Sequence, residues 1–150
     1  MIFSTTGYNG GSWLYRLTNG GRSAELVWHN QMDNQMGGAV KVGDYIYSSS
    51  HNNSRGWYCL DVKTGETKWR SGAEFGQSSI IYADGMLYVY SYNGNMYLVK
   101  PNPNQLEIVS QFTVTLGTNQ HWAHPVIHEG VLYIRHGDAL MAYKIKSRGV

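Results

Sequence analysis

The stretch Trp57-Tyr58-Cys59-Leu60-Asp61-Val62-Lys63-Thr64-Gly65-Glu66-Thr67-Lys68-Trp69-Arg70 decides the fold class. Its first residues alternate in the period-2 pattern of a half-buried strand. Lys63-Thr64-Gly65-Glu66 is typical of a tight turn, because Gly65 can take the positive φ that a short hairpin needs. The extended pattern resumes at Thr67. We therefore predict a β-hairpin in which Asp61 accepts hydrogen bonds from the turn amides.

Looser copies of this hairpin recur along the chain. An apolar residue followed by an aromatic one is the first marker, and it occurs as Ile2-Phe3, Ile46-Tyr47, Leu87-Tyr88 and Leu132-Tyr133. These copies are about 41 to 45 residues apart. A strand-ending Trp is another marker, present at Trp28 and Trp69 but replaced by Ser110 in the third copy. A repeat of this length, with four short strands, is typical of a β-propeller blade.

The repeats predict four blades, whose strands we letter a to d from the propeller axis outward. Residues 37–71 and 78–114 each supply all four strands, whereas 1–30 lack strand a and 123–146 lack strand d. The predicted fold is therefore all-β, a partial or half propeller of antiparallel strands in one region spanning 1–150. Two alternatives remain for the open edges. Either N-terminal blades of a longer propeller are missing, or two chains pair as a homodimer into one eight-bladed ring.

Composition excludes several classes of protein. The formal net charge is +2 and only 15% of the residues are charged, which gives no electrostatic support for a nucleic-acid partner. The single cysteine, Cys59, excludes an intrachain disulfide and a cysteine-rich metal site. No window approaches the ~20 apolar residues of a membrane span, and Met1 leads directly into a strand pattern without a signal peptide. The compartment of this chain therefore stays unknown.

The segment from Leu60 to Trp69 resembles the pyrroloquinoline-quinone (PQQ) repeat of the quinoprotein-like β-propellers, whose pattern is roughly Ala-Leu-Asp-x-x-Thr-Gly-x-x-x-Trp. The resemblance implies that Trp28 and Trp69 are structural anchors between blades. The segment from Trp122 to Asp138 resembles the closing repeat of large bacterial PQQ-like propeller proteins. This implies the C-terminal part of a bacterial parent protein that is periplasmic or extracellular.

The resemblance implies three alternative functions. Dehydrogenases of this superfamily bind PQQ on the axis with a calcium ion held by Glu, Asn and Asp, and no such set can be matched here residue by residue. Other members use the repeat as a protein-binding platform. We therefore expect a non-catalytic scaffold or binding module without a cofactor. The alternatives are part of a PQQ-dependent alcohol or sugar dehydrogenase, and a propeller that binds a carbohydrate or a peptide on its aromatic axial face.

The densest chemical cluster is His121-Trp122-Ala123-His124-Pro125-Val126-Ile127-His128, which leads into strand a of the last blade. Strand a borders the axial opening, and Gln35 has the equivalent position before the second blade. We predict Gln35, His121, Trp122 and His124 as a ligand-binding set, with no catalytic residue. The three histidines could ligate zinc or copper. Histidines that hydrogen-bond to neighbouring blades are the favoured interpretation, so no metal site is predicted.

Overall fold

The computed structural model describes residues 1–145, which form four antiparallel sheets in chain order. The first sheet contains β1 (Ile2–Thr6), β2 (Gly11–Thr18) and β3 (Ser23–Asn30). The second contains β4 (Ala39–Val42), β5 (Tyr45–Ser50), β6 (Gly56–Asp61) and β7 (Thr67–Arg70). The third contains β8 (Ser78–Ala83), β9 (Met86–Ser91), β10 (Asn95–Lys100) and β11 (Glu107–Thr113). The fourth contains β12 (Val126–His128), β13 (Val131–His136) and β14 (Ala139–Lys144).

Each sheet is a meander in which neighbouring strands are consecutive in the sequence. The predicted all-β class and the antiparallel pairing are therefore confirmed. By the lettering above, the first sheet has strands b to d and the fourth has strands a to c, while the middle sheets have all four. Lys146, the last residue of the predicted fourth blade, lies outside the described residues. Three short 3-10 helices lie in the connections, at Asn19–Gly21, Asn52–Ser54 and Ala73–Phe75.

The sheets stack face to face through three apolar clusters, one between each successive pair. Leu14, Trp28, Ile46 and Leu60 belong to the cluster between the first two sheets. Tyr47, Trp57, Cys59, Leu87 and Val89 are part of the cluster between the second and third, and Tyr90, Met96, Leu132 and Ile134 are part of the last. Because each sheet buries its faces only against its neighbours, stability is built pairwise along the chain.

A tryptophan near the end of a sheet docks on the c–d turn of the next sheet. The Nε1 of Trp28 donates to the carbonyl of Val62 at 2.8 Å. The Nε1 of Trp69 donates to the carbonyl of Asn102 at 2.7 Å. Both indoles thus satisfy their one N–H group while they bury a large apolar ring. These are contacts of the kind that the family resemblance implies for anchors between blades.

A β-bulge accompanies this position in the first three sheets. Trp28 pairs with Leu14 and Trp69 pairs with Cys59, and in both sheets the register shifts immediately after that pair. In the third sheet Ser110 pairs with Leu98, and the register shifts at the same point. A bulge increases the local twist of a strand pair. Ser110 therefore has the place of the tryptophan but not its side chain.

The hairpin turn of the second sheet is built around Asp61. Its Oδ1 accepts hydrogen bonds from the backbone N–H groups of Lys63 and Thr64 at 2.8 and 2.9 Å, as predicted. The N–H of Thr64 is the largest cause of the lowered pKa of this carboxyl. Gly65 has φ +73° and lies directly beneath the ring of Trp28. The turn is thus shaped to receive the indole of the preceding sheet.

The two terminal sheets expose apolar side chains on the faces that point away from the stack. In the first sheet Ile2, Tyr15 and Leu26 are cross-strand partners on the side opposite the buried Leu14. In the fourth sheet Leu140 is 71% exposed. No helix within residues 1–145 is long and apolar enough to cross a membrane.

Candidate functional site

The candidate site lies at one end of the sheets. In a meander of strands a to d, the b–c loop and the connection to the next sheet leave from the same end, opposite the c–d turns. The b–c loops are 7–10, 51–55, 92–94 and 137–138, and the connections are 31–38, 71–77 and 114–125. We call the surface formed by these loops the loop face.

Gln35 and His124, two of the predicted site residues, reach across the loop face to other sheets. Gln35 donates from Nε2 to the hydroxyl of Tyr8 at 2.5 Å. Its Oε1 accepts from Nε2 of Gln77 at 3.1 Å. His124 places Nε2 3.0 Å from the carbonyl oxygen of Met36. Loops of all four sheets are thereby brought into contact.

Trp122, another predicted site residue, is 61% exposed. It lines three open cavities on the loop face, one of which, of about 210 Å³, it shares with Gln35, Met36 and Gln77. The central cavity, of about 210 Å³, is lined by Gln35, His51, Arg55, Gln77, Tyr92, Gln120 and Trp122. The side cavity, of about 500 Å³, is lined by Asn119, Gln120, Trp122, Ala123, Arg135 and Gly137. Gln35 and Trp122 therefore do line one site together.

Aromatic rings follow strand b in the first three sheets. They are supplied by Tyr8, His51 and Tyr92, and Tyr8 meets His51 edge to face with 5.8 Å between ring centroids. Tyr92 lies against Gly76, where a Cβ atom would come within 2.1 Å of the phenol ring. The absence of a side chain at Gly76 is therefore what allows Tyr92 to close over the connection to the third sheet.

His121 is turned inward rather than presented to solvent. Its ring stacks on His136, with centroids 3.6 Å apart and planes at 19°. Its Nδ1 lies 2.5 Å from the hydroxyl of Tyr90, and burial raises the pKa of Tyr90 to about 12. Tyr90 therefore keeps its proton, and its hydroxyl shares a hydrogen bond with the imidazole of His121. Burial, and then the charge of His136, lower the pKa of His121.

His136 ties the segment that carries Trp122 to the fourth sheet. Its Nδ1 lies 2.7 Å from the carbonyl of Leu116, and its Nε2 lies 2.8 Å from the carbonyl of Asn119. Both ring nitrogens of His136 thus contact backbone carbonyls of the connection to the fourth sheet. Thr118 adds a hydrogen bond from Oγ1 to Oδ1 of Asp138 at 3.0 Å, the largest cause of the lowered pKa of that carboxyl. The approach to Trp122 is thus held by side chains of β13 and its loop.

Two guanidinium groups supply the charge that lines the two cavities. Arg55 lines the central cavity and Arg135 lines the side cavity. Arg135 is oriented by a hydrogen bond from Nε to the carbonyl of Gly137 at 3.0 Å. Asp and Glu are absent from the described residues that line either cavity. Because Arg55 and Arg135 supply positive charge and no lining carboxylate offsets it, the loop face favours a neutral or negatively charged ligand over a cation.

Sequence reasoning missed five of the seven residues that line the central cavity. His51, Arg55, Gln77, Tyr92 and Gln120 were not predicted. A signal for Tyr92 exists, since it follows strand b as His51 does one repeat earlier. Gln77 and Gln120 belong to connections of unequal length, so that no fixed spacing indicates them.

The loop face does not fit a metal-bound cofactor. Among residues 1–145, no group of three His, Cys, Asp or Glu side chains could hold a metal ion. Calcium prefers carboxylate and carbonyl oxygens. Asp33, beside the loop face, is 1% exposed, and its oxygens accept from Ser50 Oγ at 2.7 Å and from the backbone N–H groups of His51 and Asn9 at 3.0 and 2.8 Å. The described residues therefore provide no set of the kind that holds calcium beside PQQ.

Comparison with known proteins supports the architecture. No protein-family model matches the sequence, and no curated protein matches it. Among solved structures, the chain is similar to the crystal structure of BamB from Moraxella catarrhalis, with a TM-score of 0.64 and 15% sequence identity. The match covers 95% of this chain and 45% of that chain, so this chain spans less than half of its length. The likeness, together with the four stacked antiparallel sheets, shows a β-propeller fold.

Proposed function

We propose that this chain is a non-catalytic binding module of the PQQ-like propeller type, which captures a ligand on its loop face. The observation that carries the proposal is the exposed Trp122 in the wall shared by two cavities. Large exposed aromatic rings beside concave polar surfaces are typical of recognition sites. The repeat resemblance and the likeness to BamB both support a propeller scaffold for such a site.

The scaffold separates the binding surface from the contacts that hold the sheets together. Trp28 and Trp69 dock on c–d turns and not on the b–c loops of the loop face. The loop face itself is built from hydrogen-bonded polar side chains such as Gln35 and Gln77. A surface of this kind supports binding better than acid–base chemistry, because amide groups do not titrate. We further propose that the module belongs to an exported bacterial protein, on the strength of the repeat resemblance.

A binding screen tests this proposal. The purified chain is screened against peptide and oligosaccharide libraries by tryptophan fluorescence, and hits are measured by calorimetry. We expect Trp122→Ala to abolish binding of a hit, while the control Tyr82→Ala, which removes an exposed aromatic ring from β8, leaves it unchanged. Circular dichroism checks that both variants fold. An absence of hits, or hits that bind Trp122→Ala as well as they bind the wild type, would contradict the proposal.

A further inference from the structure

We propose that the ligand of the loop face is an acidic oligosaccharide, a chain of sugar rings that carry carboxylate groups. This inference rests on the proposed function, because it names the ligand class of the same site. Three properties of the lining support it: an indole face open to solvent, a group of amides, and two arginines without a lining carboxylate. Each property matches a different part of a uronic-acid ring.

Trp122 provides the stacking surface. The face of an indole carries the negative part of the ring quadrupole. One face of a pyranose ring presents C–H groups whose hydrogens are slightly positive, so a sugar ring can stack flat on the indole and bury apolar area on both sides. Trp122 is open to both cavities, which lets consecutive sugar rings lie on either side of it.

The amides match the hydroxyl groups of such a ligand. Gln35, Gln77 and Gln120 line the central cavity. An amide group carries two N–H donors and an oxygen with two lone pairs. The bonds from Gln77 to Gln35 and from Gln35 to Tyr8 use only part of this capacity and fix the orientation of both groups. Oriented groups that both donate and accept suit hydroxyls, which also do both.

The arginines match the carboxylates. Guanidinium groups bind carboxylates through two parallel hydrogen bonds. Arg55 and Arg135 lie in different cavities, one on each side of the wall that contains Trp122. The bond from Arg135 Nε to Gly137 leaves its two terminal NH₂ groups for a ligand. A ligand that crosses Trp122 therefore meets a cation in each cavity.

A peptide with acidic side chains fits this lining less well. Peptide recognition relies on an open strand edge, a hydrophobic groove or aromatic-lined grooves for proline-rich chains. Of the apolar side chains described, the central cavity has only its aromatic rings, and the side cavity adds Ala123. Amides and arginines around one indole match rings that carry hydroxyls and carboxylates more closely than they match a backbone with apolar anchors.

The test compares one sugar chain with and without its charge. Oligogalacturonate and its fully methyl-esterified form are titrated into the 150-residue chain by calorimetry. We expect the acid to bind at least about tenfold more tightly than the ester, a difference of about 1.4 kcal/mol, because hydrogen bonds between charged groups are stronger than those between neutral ones. Arg55→Gln and Arg135→Gln should each weaken binding of the acid by about tenfold and leave the affinity for the ester unchanged. Trp122→Ala should abolish binding of both forms.

The control is Arg22→Gln, which removes the same charge from the c–d turn of the first sheet, at the opposite end of the stack. It should leave both affinities unchanged. Equal affinity for acid and ester would overturn the inference, as would an equal effect of the Arg22 control. A peptide that needs Trp122, together with no binding of either sugar chain, would overturn the inference and leave the proposed binding function intact. If neither sugar chain nor any peptide binds, both the inference and the proposed binding function are overturned.

Discussion

His121, which the sequence predicts as a binding-site residue, packs beneath the segment that carries Trp122. It precedes Trp122 in the sequence, yet its ring lies between His136 and the hydroxyl of Tyr90. Gly94 makes room for it, because a Cβ atom there would come within 2.8 Å of the imidazole. A neutral ring in this place fixes the segment from which Trp122 projects. His121 therefore contributes to the candidate site by fixing the position of Trp122.

The protonation of His121 predicts an acid-sensitive stability. An unfolded chain protonates a histidine below about pH 6.5, whereas burial and the charge of His136 lower the pKa of His121 in the folded chain. The unfolded state then binds more protons, so the free energy of unfolding rises with increasing pH and decreases as the solution becomes more acid. This contribution is fully present above about pH 6.5 and is lost as the pH falls towards the lower pKa of the folded state.

Urea unfolding of the wild type and of His121→Asn between pH 5 and 8 measures this effect. We expect a shallower loss of stability at acid pH in the variant. His128→Asn is the matched control, since His128 is exposed on β12, and it should show the slope of the wild type. We compare the slopes of the free energy of unfolding against pH and not its absolute values, because His121→Asn also removes the hydrogen-bond partner of Tyr90. Identical slopes for all three proteins would show that His121 does not titrate differently on folding.

At the scale of the strand and the turn, the joint between sheets depends on Gly65. The turn of the second sheet receives the indole of Trp28 on this residue, and its carbonyl accepts a hydrogen bond from Asn30 Nδ2 at 2.8 Å. A Cβ atom on Gly65 would come within 2.5 Å of that indole. One glycine thus serves both the turn conformation and the stacking of two sheets.

Two alanine substitutions separate these two requirements. Gly43 also has a positive φ, of +58°, but nothing lies within 4 Å of the place where its Cβ would be. Gly43→Ala should therefore cost only the left-handed conformation, about 1–2 kcal/mol in the free energy of unfolding. Gly65→Ala should cost roughly 1–3 kcal/mol more, because the indole must move. Chemical denaturation measures both values, and equal losses would mean that the contact with Trp28 adds nothing.

Strands were predictable from the sequence because their signals are local. Alternation and glycine-containing turns placed the hairpin between Trp57 and Arg70 where the structure has it. The bulge next to the pair of Cys59 with Trp69 was not foreseen, since it depends on how two strands align. The candidate site likewise has parts with a local sequence signal and parts that depend on how the sheets come together. Gln35 was predicted by counting back from a repeat marker, and Trp122 was predicted from the histidine-rich cluster around it. The contact between Gln35 and Gln77 exists only because two sheets stack.

At the scale of the whole molecule, the outer faces of the terminal sheets present exposed apolar side chains. Leu26 of the first sheet is 57% exposed, and Leu140 of the fourth is more exposed still. Within the stack, the equivalent faces are covered by a neighbouring sheet. Exposed apolar faces of this kind favour burial against another protein surface. The pairing of two chains, fourth sheet against first, would cover both.

Light scattering on a size-exclusion column tests this pairing. We expect a mass near twice 16.9 kDa for the chain. Leu26→Glu and Leu140→Glu should each shift it to the mass of one chain, because a charge cannot be buried unpaired in the interface. Leu116→Glu, at an exposed position of the loop face, should leave it paired. A wild-type mass of one chain would favour the other prediction, in which further blades cover these faces.

The Trp-on-turn joints use the c–d turns and not the b–c loops, and this has an evolutionary consequence. Substitutions in the b–c loops can alter what is bound without loosening Trp28 or Trp69 from their turns. Sequence changes in the b–c loops are thereby separated from selection for the stability of the joints between sheets. The same separation makes the loop face a practical surface for library design, in which residues such as Tyr92 and Arg55 are randomised on a frame that stays constant.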